Sequence, residues 1–370
     1  MKLLVLDQYS EPGGAQQALL GLFPAFRARG WDALIGIPGD GEMFARVRDL
    51  GFDVVRISCG PFRPGVKSAA DIARFALQTP RLAREIQRLA AGRDLVYING
   101  PRLLPAAALA KLDHPVVFHA HSYLPAGPVR RLAGMSLRRM RARVIGQSRF
   151  IADQWLPYAG ANRMSIVYNG VAGPERAMQR SDRPPHVGYI GRIAPEKGLM
   201  EFLTAARIIH NAVPDCTFAV YGSTLFGDRD YATRVHAAAA GLPVQFEGWV
   251  NDVYTALASL DVLLVPSSAV EGTTRVILEA FAAGLPVIAF RAGGIPEVIE
   301  HGGLLASSVE EMARECVVLL RDSAKRATMG RAGRETWQRR FTLARYQEEL
   351  LRELTASGKG TSSGSAADCR

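Results

Sequence analysis

Two carboxylates eight residues apart, Glu271 and Glu279, bracket the start of the apolar stretch EGTTRVILEAFAAGLPVIAF. Glu279 falls among Ile277, Leu278, Ala280 and Phe281, a poor setting for an ordinary surface carboxylate. The stretch reads as loop, helix, Gly-Leu-Pro turn and strand, with Thr273 or Thr274 as the helix N-cap. The backbone N–H groups of Gly272, Thr273 and Thr274 would then form an anion site strengthened by the helix dipole. A carboxylate beside a bare phosphate would repel it. An ionised carboxylate that accepts hydrogen bonds from vicinal hydroxyls is well placed. The pattern points to a ligand with a diphosphate and two sets of sugar hydroxyls, one for each glutamate.

Other candidate residues sit where apolar strands end. GRIAPEKG places Arg192 and Lys197 in a Pro-containing loop before a helix, where a guanidinium fork and a mobile ammonium suit a diphosphate or form a solvated pair. FHAHS puts His119 and His121 on one face of a strand. No third metal ligand follows by spacing, so the expectation is no metal; His119 is read as an active-site or a structural histidine. Gly13 and Gly14 follow the first strand and precede a helix, where their N–H groups could meet an anion or simply turn the chain. Neither G-x-G-x-x-G after a strand nor G-x-x-x-x-G-K-[ST] occurs.

Placing these residues requires parallel sheets. Apolar strands are expected at 2–6, 32–38, 53–58, 94–99, 115–121, 143–148 and 164–169, with helices between them, including 15–29, 69–91 and 149–158. A polar segment at 173–185 reads as a linker, after which strands resume at 186–193, 216–222, 244–249, 261–267 and 286–290. The fold class is α/β: two tandem Rossmann-like, doubly wound parallel-sheet domains, 1–172 and 186–340, then a C-terminal helix at 341–355 and a disordered tail at 356–370. Ligands of such sheets bind outside the carboxyl ends of the strands, so a cleft between the domains is the expected site.

Composition narrows the class further. A hydrophobic content of 48% with 22% charged residues describes a globular chain, and 370 residues suffice for two cores. Four cysteines without metal or redox spacing, no signal-peptide pattern and no apolar span of about 20 residues suggest a cytoplasmic setting. Residues 1–171 hold 23 Lys and Arg against 12 Asp and Glu, while the remainder holds 22 against 23. The excess suggests an anionic partner for the first half. It concentrates in VRRLAGMSLRRMRARV, where Val129, Leu132, Ala133, Leu137, Met140 and Val144 share one helix face. Arg130, Arg131, Arg138 and Arg139 are the candidate contacts to an anionic membrane surface, against the alternative of a solvated basic face. The stretch lacks interleaved aromatics and any nucleic-acid motif, so no nucleic-acid partner is expected.

In combination these motifs resemble the retaining GT-B glycosyltransferases of family 4. The resemblance rests on Glu271-x7-Glu279 with EAFAAGLPVIAFRAGGIPEVI after it, GRIAPEKG, GGAQ, FHAHS and VYNGV, in order over residues 1 to about 350. It implies a GT-B fold and a nucleotide-sugar donor, UDP-linked in preference to GDP-linked, with no cofactor. The acceptor would be a saccharide or lipid-linked, in surface polysaccharide or glycolipid synthesis, with peripheral attachment at the inner face of the plasma membrane. It also implies that Glu279 binds the ribose, that Glu271 and His119 adjoin the donor sugar, and that Arg192, Lys197 and the Gly13–Gly14 backbone meet the diphosphate without a metal. The family's small or apolar residues after Glu-Gly are replaced here by TTR, which makes Arg275 either an extra cation near the site or a solvated first-turn residue. The alternatives are a nucleotide-sugar 2-epimerase, which would need acid and base residues that the sequence does not place, and a non-catalytic nucleotide-sugar-binding subunit.

Overall fold

Leu3, Leu4, Val5 and Leu6 are all fully buried, as a strand covered by helices on both faces requires. The computed structural model describes residues 1–60, 68–178, 183–223, 229–267 and 270–359. They fall into two units, one of Met1–Tyr168 with the chain from Tyr346 onward, the other Asn169–Arg345.

Unit 1 is built on seven strands: β1 Lys2–Leu6, β2 Asp32–Ile37, β3 Asp53–Arg56, β4 Leu95–Ile98, β5 Val116–Ala120, β6 Arg143–Gly146 and β7 Met164–Ile166. Every pairing is parallel, in the order β3-β2-β1-β4-β5-β6-β7. Unit 2 has β8 His186–Ile190, β9 Thr217–Tyr221, β10 Val244–Gly248, β11 Val262–Val265, β12 Val287–Phe290 and β13 Gly303–Ala306, also all parallel, in the order β10-β9-β8-β11-β12-β13. Strand order therefore reverses between β1 and β4 in unit 1 and between β8 and β11 in unit 2. At those points neighbouring crossovers diverge to opposite faces and leave a crevice at the carboxyl edge. Leu4, Val96, Phe118 and Trp155 belong to the first core, and Val187, Phe202, Phe218 and Ile288 to the second.

Several elements differ from expectation for local reasons. The helix expected over 15–29 is two, Gly14–Leu20 and Phe23–Ala28, the second with Pro24 in its first turn. The helix expected over 149–158 likewise breaks into Arg149–Asp153 and Leu156–Ala159, the latter starting with Pro157 in its first turn. Strand β13 is additional: four residues that begin on the second glycine of a pair carry too little periodicity, and pairing with β12 creates it.

The start of the expected linker is bound to unit 2. Arg334 donates to the carbonyls of Pro174 and Glu175 at 2.7 Å each, and Met178 N–H reaches Ala283 O at 3.1 Å. Residues 179–182 of that segment lie outside the described residues. The final helix runs Leu343–Lys359, past the expected boundary at 355, and from Tyr346 it belongs to unit 1. There Gln347 donates to Gly21 O at 2.6 Å and Arg143 pairs with Glu353 at 3.3 Å. Residues 360–370 of the expected tail lie outside the described residues.

Candidate functional site

In unit 2 the chain leaves β8 through Gly191 and Arg192, whose carbonyl accepts the Tyr189 hydroxyl at 2.7 Å. Pro195–Lys197 forms a single 3-10 turn, and Gly198 (φ +74°) reverses the chain into helix Leu199–Ala212. A Cβ on Gly198 would lie 1.8 Å from Pro266 O, so the loops leaving β8 and β11 press directly on each other. That approach brings Lys197 Nζ onto Glu271 Oε2, with side chains only 19% and 14% exposed. The backbone of Glu271 is anchored too, since its carbonyl accepts Gly294 N–H at 3.1 Å.

Helix Arg275–Ala283 follows, with Thr274 as its N-cap; the Thr274 hydroxyl makes no capping bond. Thr273 is 5% exposed, and its Oγ1 has no hydrogen-bond partner among the described residues. A buried unbonded hydroxyl at a helix start is costly unless something else bonds to it. Arg275 is neither a solvated residue nor an independent cation: its Nη2 lies 3.3 Å from Glu279 Oε1, one turn on, and both side chains are mostly buried. Burial pushes the Glu279 carboxyl above the usual glutamate range, and the Arg275 charge pulls it back. Arg192 pairs with Glu196 at 3.0 Å and is more open to solvent. A cavity of about 20 Å³ lined by Gly191, Lys197, Val265, Ser267 and Thr274 marks the switch point of this sheet.

In unit 1 the carboxyl edge carries a buried polar chain. Asp7, just past β1, accepts Gln16 Nε2 at 2.9 and 3.1 Å, Asn99 Nδ2 at 2.6 Å and Tyr9 N–H at 2.8 Å. His121 Nε2 lies 2.8 Å from Asn99 Oδ1. Asp7, Gln16 and Asn99 escaped sequence reasoning. Their signal was present, as polar residues directly after the buried runs KLLVL and LVYI and in the turn of a Gly-Gly segment.

In this unit His119 lies in β5, one residue before its end, 1% exposed, with Nδ1 2.5 Å from the Tyr97 hydroxyl. Burial first, and His121 second, hold its ring well below the ordinary histidine pKa and keep it neutral. His121, one residue past β5 and only part-buried, is the histidine of the edge. Gly13 was expected to offer its N–H to an anion, but Gln16 Oε1 already accepts it at 3.1 Å.

The basic helix spans Pro128–Met140. Its buried face is Ala133, Gly134, Ser136 and Leu137, and Gly134 leaves no room for a Cβ beside the Tyr158 ring. Val129 and Leu132 of the expected apolar face are 66% and 48% exposed, and Met135 is 60% exposed. Val144 belongs to β6. Arg131, Arg138 and Arg139 are exposed, whereas Arg130 lies over the Tyr123 ring and reaches Leu124 O at 3.3 Å. Among the described residues no three His, Cys, Asp or Glu side chains converge on a metal position, and no helix is long and apolar enough to cross a membrane.

Residues 12–172 match the family model described as Glycosyltransferase Family 4, and residues 184–322 the model described as Glycosyl transferases group 1. A 2-deoxystreptamine glucosyltransferase of Streptomyces kanamyceticus is 30% identical over 275 residues, 67% of this chain and 68% of that protein. The chain belongs to this glycosyltransferase family. A sulfoquinovosyl transferase of Arabidopsis thaliana is 27% identical over 70% of this chain, and the match spans only about half, 55%, of that protein's length. The crystal structure of Anabaena HepE in complex with UDP and glucose superposes with a TM-score of 0.79 at 25% identity, covering 96% of this chain and all of that one. The two parallel-sheet units are thus those of a GT-B glycosyltransferase.

The contact of Gly198 with Pro266 sets the first prediction. Gly198→Ala forces a side chain into a left-handed conformation and against a carbonyl. It should lower the unfolding free energy by about 2 kcal/mol or more. Urea denaturation followed by far-UV circular dichroism measures this; an unchanged midpoint and slope would show that the two loops are not pressed together.

Proposed function

We propose that this chain transfers a sugar from a nucleoside-diphosphate donor to a saccharide or lipid-linked acceptor, with retention at the anomeric carbon and no required metal. One observation carries the reading: at the switch point of unit 2, Lys197–Glu271 and Arg275–Glu279 form two mostly buried ion pairs around a helix start with an unbonded Thr273 hydroxyl. Opposite charges so arranged suit a ligand that is itself part anion and part polyol. The diphosphate takes Lys197 and Arg192, the ribose hydroxyls donate to Glu279, and the donor sugar donates to Glu271. Because HepE is crystallised with UDP, a UDP-linked donor is favoured over a GDP-linked one.

In the reaction the bond from the anomeric carbon to the diphosphate breaks while the acceptor hydroxyl attacks the same face. The departing diphosphate oxygen takes the hydroxyl proton. Charge accumulates on the leaving group, so cations aimed at it supply the main stabilisation. Glu271 lies in an ion pair with Lys197 and is assigned to sugar recognition rather than to nucleophilic attack. His121, rather than the enclosed His119, is the unit 1 histidine assigned to this chemistry.

Lys197→Ala and Arg192→Ala should each lower turnover of labelled UDP-sugar by about 10²–10³-fold, Arg192→Ala with the unfolding midpoint kept and Lys197→Ala with a lowered midpoint but still folded, because it leaves Glu271 unpaired. Wild-type turnover in both variants would remove the diphosphate assignment.

The glutamates should separate in calorimetry. Glu279→Gln weakens binding of UDP itself. Glu271→Gln leaves UDP binding unchanged or tighter, because it releases Lys197, and weakens binding of the intact donor. Since the Glu279 pKa is raised and its ionised form is the acceptor, UDP affinity is full above that pKa and falls as pH drops through it. Arg275→Gln moves the fall to higher pH. Equal losses for UDP and donor in both glutamate variants would defeat this division.

The mixed face of helix Pro128–Met140 supports a membrane-surface role in meeting a lipid-linked acceptor, since exposed Val129, Leu132 and Met135 stand beside exposed Arg131 and Arg138. The protein should sediment with phosphatidylserine-containing vesicles at low salt and release at high salt. Changing Leu132 and Met135 to Ser with Arg131 and Arg138 to Glu should abolish this and spare UDP affinity. Equal sedimentation with neutral vesicles would leave the helix a solvated face.

A further inference from the structure

Asp7 is fully buried, and its carboxylate accepts hydrogen bonds from the N–H groups of Tyr9, Gln16 and Asn99. Burying a carboxylate among amides rather than beside a cation is costly. A neutral Asn would fill the same space. What only a carboxylate offers is two oxygens that accept and never donate.

That property fixes its neighbours. Asn99 must turn its NH2 toward Asp7 Oδ2, at 2.6 Å, which leaves Asn99 Oδ1 facing His121 Nε2 at 2.8 Å. A carbonyl oxygen only accepts, so Nε2 must carry a proton, and whenever the His121 ring is neutral its lone pair lies on Nδ1. Gln147 fixes the same residue from behind, donating to His121 O at 2.5 Å. On the other side, Gln16 must also turn its NH2 toward Asp7, at 2.9 Å, so its Oε1 is left to accept Gly13 N–H at 3.1 Å. Asp7 and Asn99 end β1 and β4, the strands that flank the switch point of this sheet.

We propose that Asp7 is a positioning residue: through Asn99 it sets the orientation and tautomer of His121, and through Gln16 it sets the Gly13–Gly14 turn. The proposal rests on the reading above that His121 takes part in sugar transfer. Asp7 itself touches no ligand. Burial pushes its carboxyl up to about 6, against the Asn99, Tyr9 and Gln16 bonds that pull it down, so it is mostly ionised at neutral pH, as the scheme requires.

The test uses the full chain with ¹⁵N-labelled histidine, the His121 signals being assigned by their loss in His121→Ala. Long-range ¹H–¹⁵N correlation at pH 7.5 should show His121 of the wild type protonated at Nε2 alone. Asp7→Asn supplies a donor where three N–H groups need acceptors. It should give a mixed or inverted His121 tautomer and lower kcat about tenfold or more, with donor KM within about threefold. Asn99→Ala cuts only the His121 arm and should show the same tautomer change and kcat loss while Gln16 stays bound to Asp7, so it decides the matter if Asp7→Asn does not fold. A His121 that stays protonated at Nε2 alone in folded Asn99→Ala or Asp7→Asn overturns the proposal, as does an unchanged kcat in both. Full turnover in His121→Ala instead overturns the assignment of His121 to the reaction, and with it the catalytic consequence of Asp7. The tautomer readout and the activity readout therefore fail separately.

Discussion

In a parallel sheet every strand exits by the same edge, and both faces are covered. Side chains within the strands must therefore be apolar, and chemistry is confined to the few residues that follow each strand. Asp7, Asn99 and His121 follow β1, β4 and β5; Arg192 follows β8; Glu271 lies in the loop after β11. Residues almost a hundred positions apart meet because their strands are neighbours in register, as Leu6 is with Ile98.

The two units meet this constraint differently. Unit 2 is rich in charge at its edge, and the charges are matched in advance: Lys197 with Glu271, Arg275 with Glu279, Arg192 with Glu196. Mostly buried pairs of this kind contribute little net stability but are costly to break one partner at a time. A ligand that brings both an anion and hydroxyls could replace both partners together. Unit 1 places a single carboxylate deeper, and its amide neighbours transmit that charge as hydrogen-bond direction to a turn and to an imidazole.

Close approach marks the same place. Gly198 adopts a left-handed conformation where the loops from β8 and β11 leave no room for a side chain, next to the contact of Lys197 with Glu271. The basic helix shows the reverse economy. Ala133, Gly134 and Ser136 face inward with Leu137, while Val129, Leu132 and Met135 stand outside beside arginines. Helical periodicity alone puts Leu132 on the core side, because it weighs hydrophobicity and ignores how closely two helices can approach through Gly134.

Twelve of the strands, the tandem α/β plan and the resemblance to family 4 were legible in the sequence, because continuous apolar runs and motif spacing are local properties of the chain. So were Arg192, Lys197, Glu271 and Glu279 as residues of one sheet edge. Tertiary structure alone decided that β13 pairs and that the last helix from Tyr346 completes unit 1. It also set two histidines two residues apart in different surroundings. Both point to one side of the strand, but His119 is enclosed by Tyr97 and Tyr346, which arrive from β4 and from the far end of the chain, and His121 is past the last pairing of β5. Spacing tells which face a side chain takes. Only the neighbours that pack against that face determine whether anything can reach it.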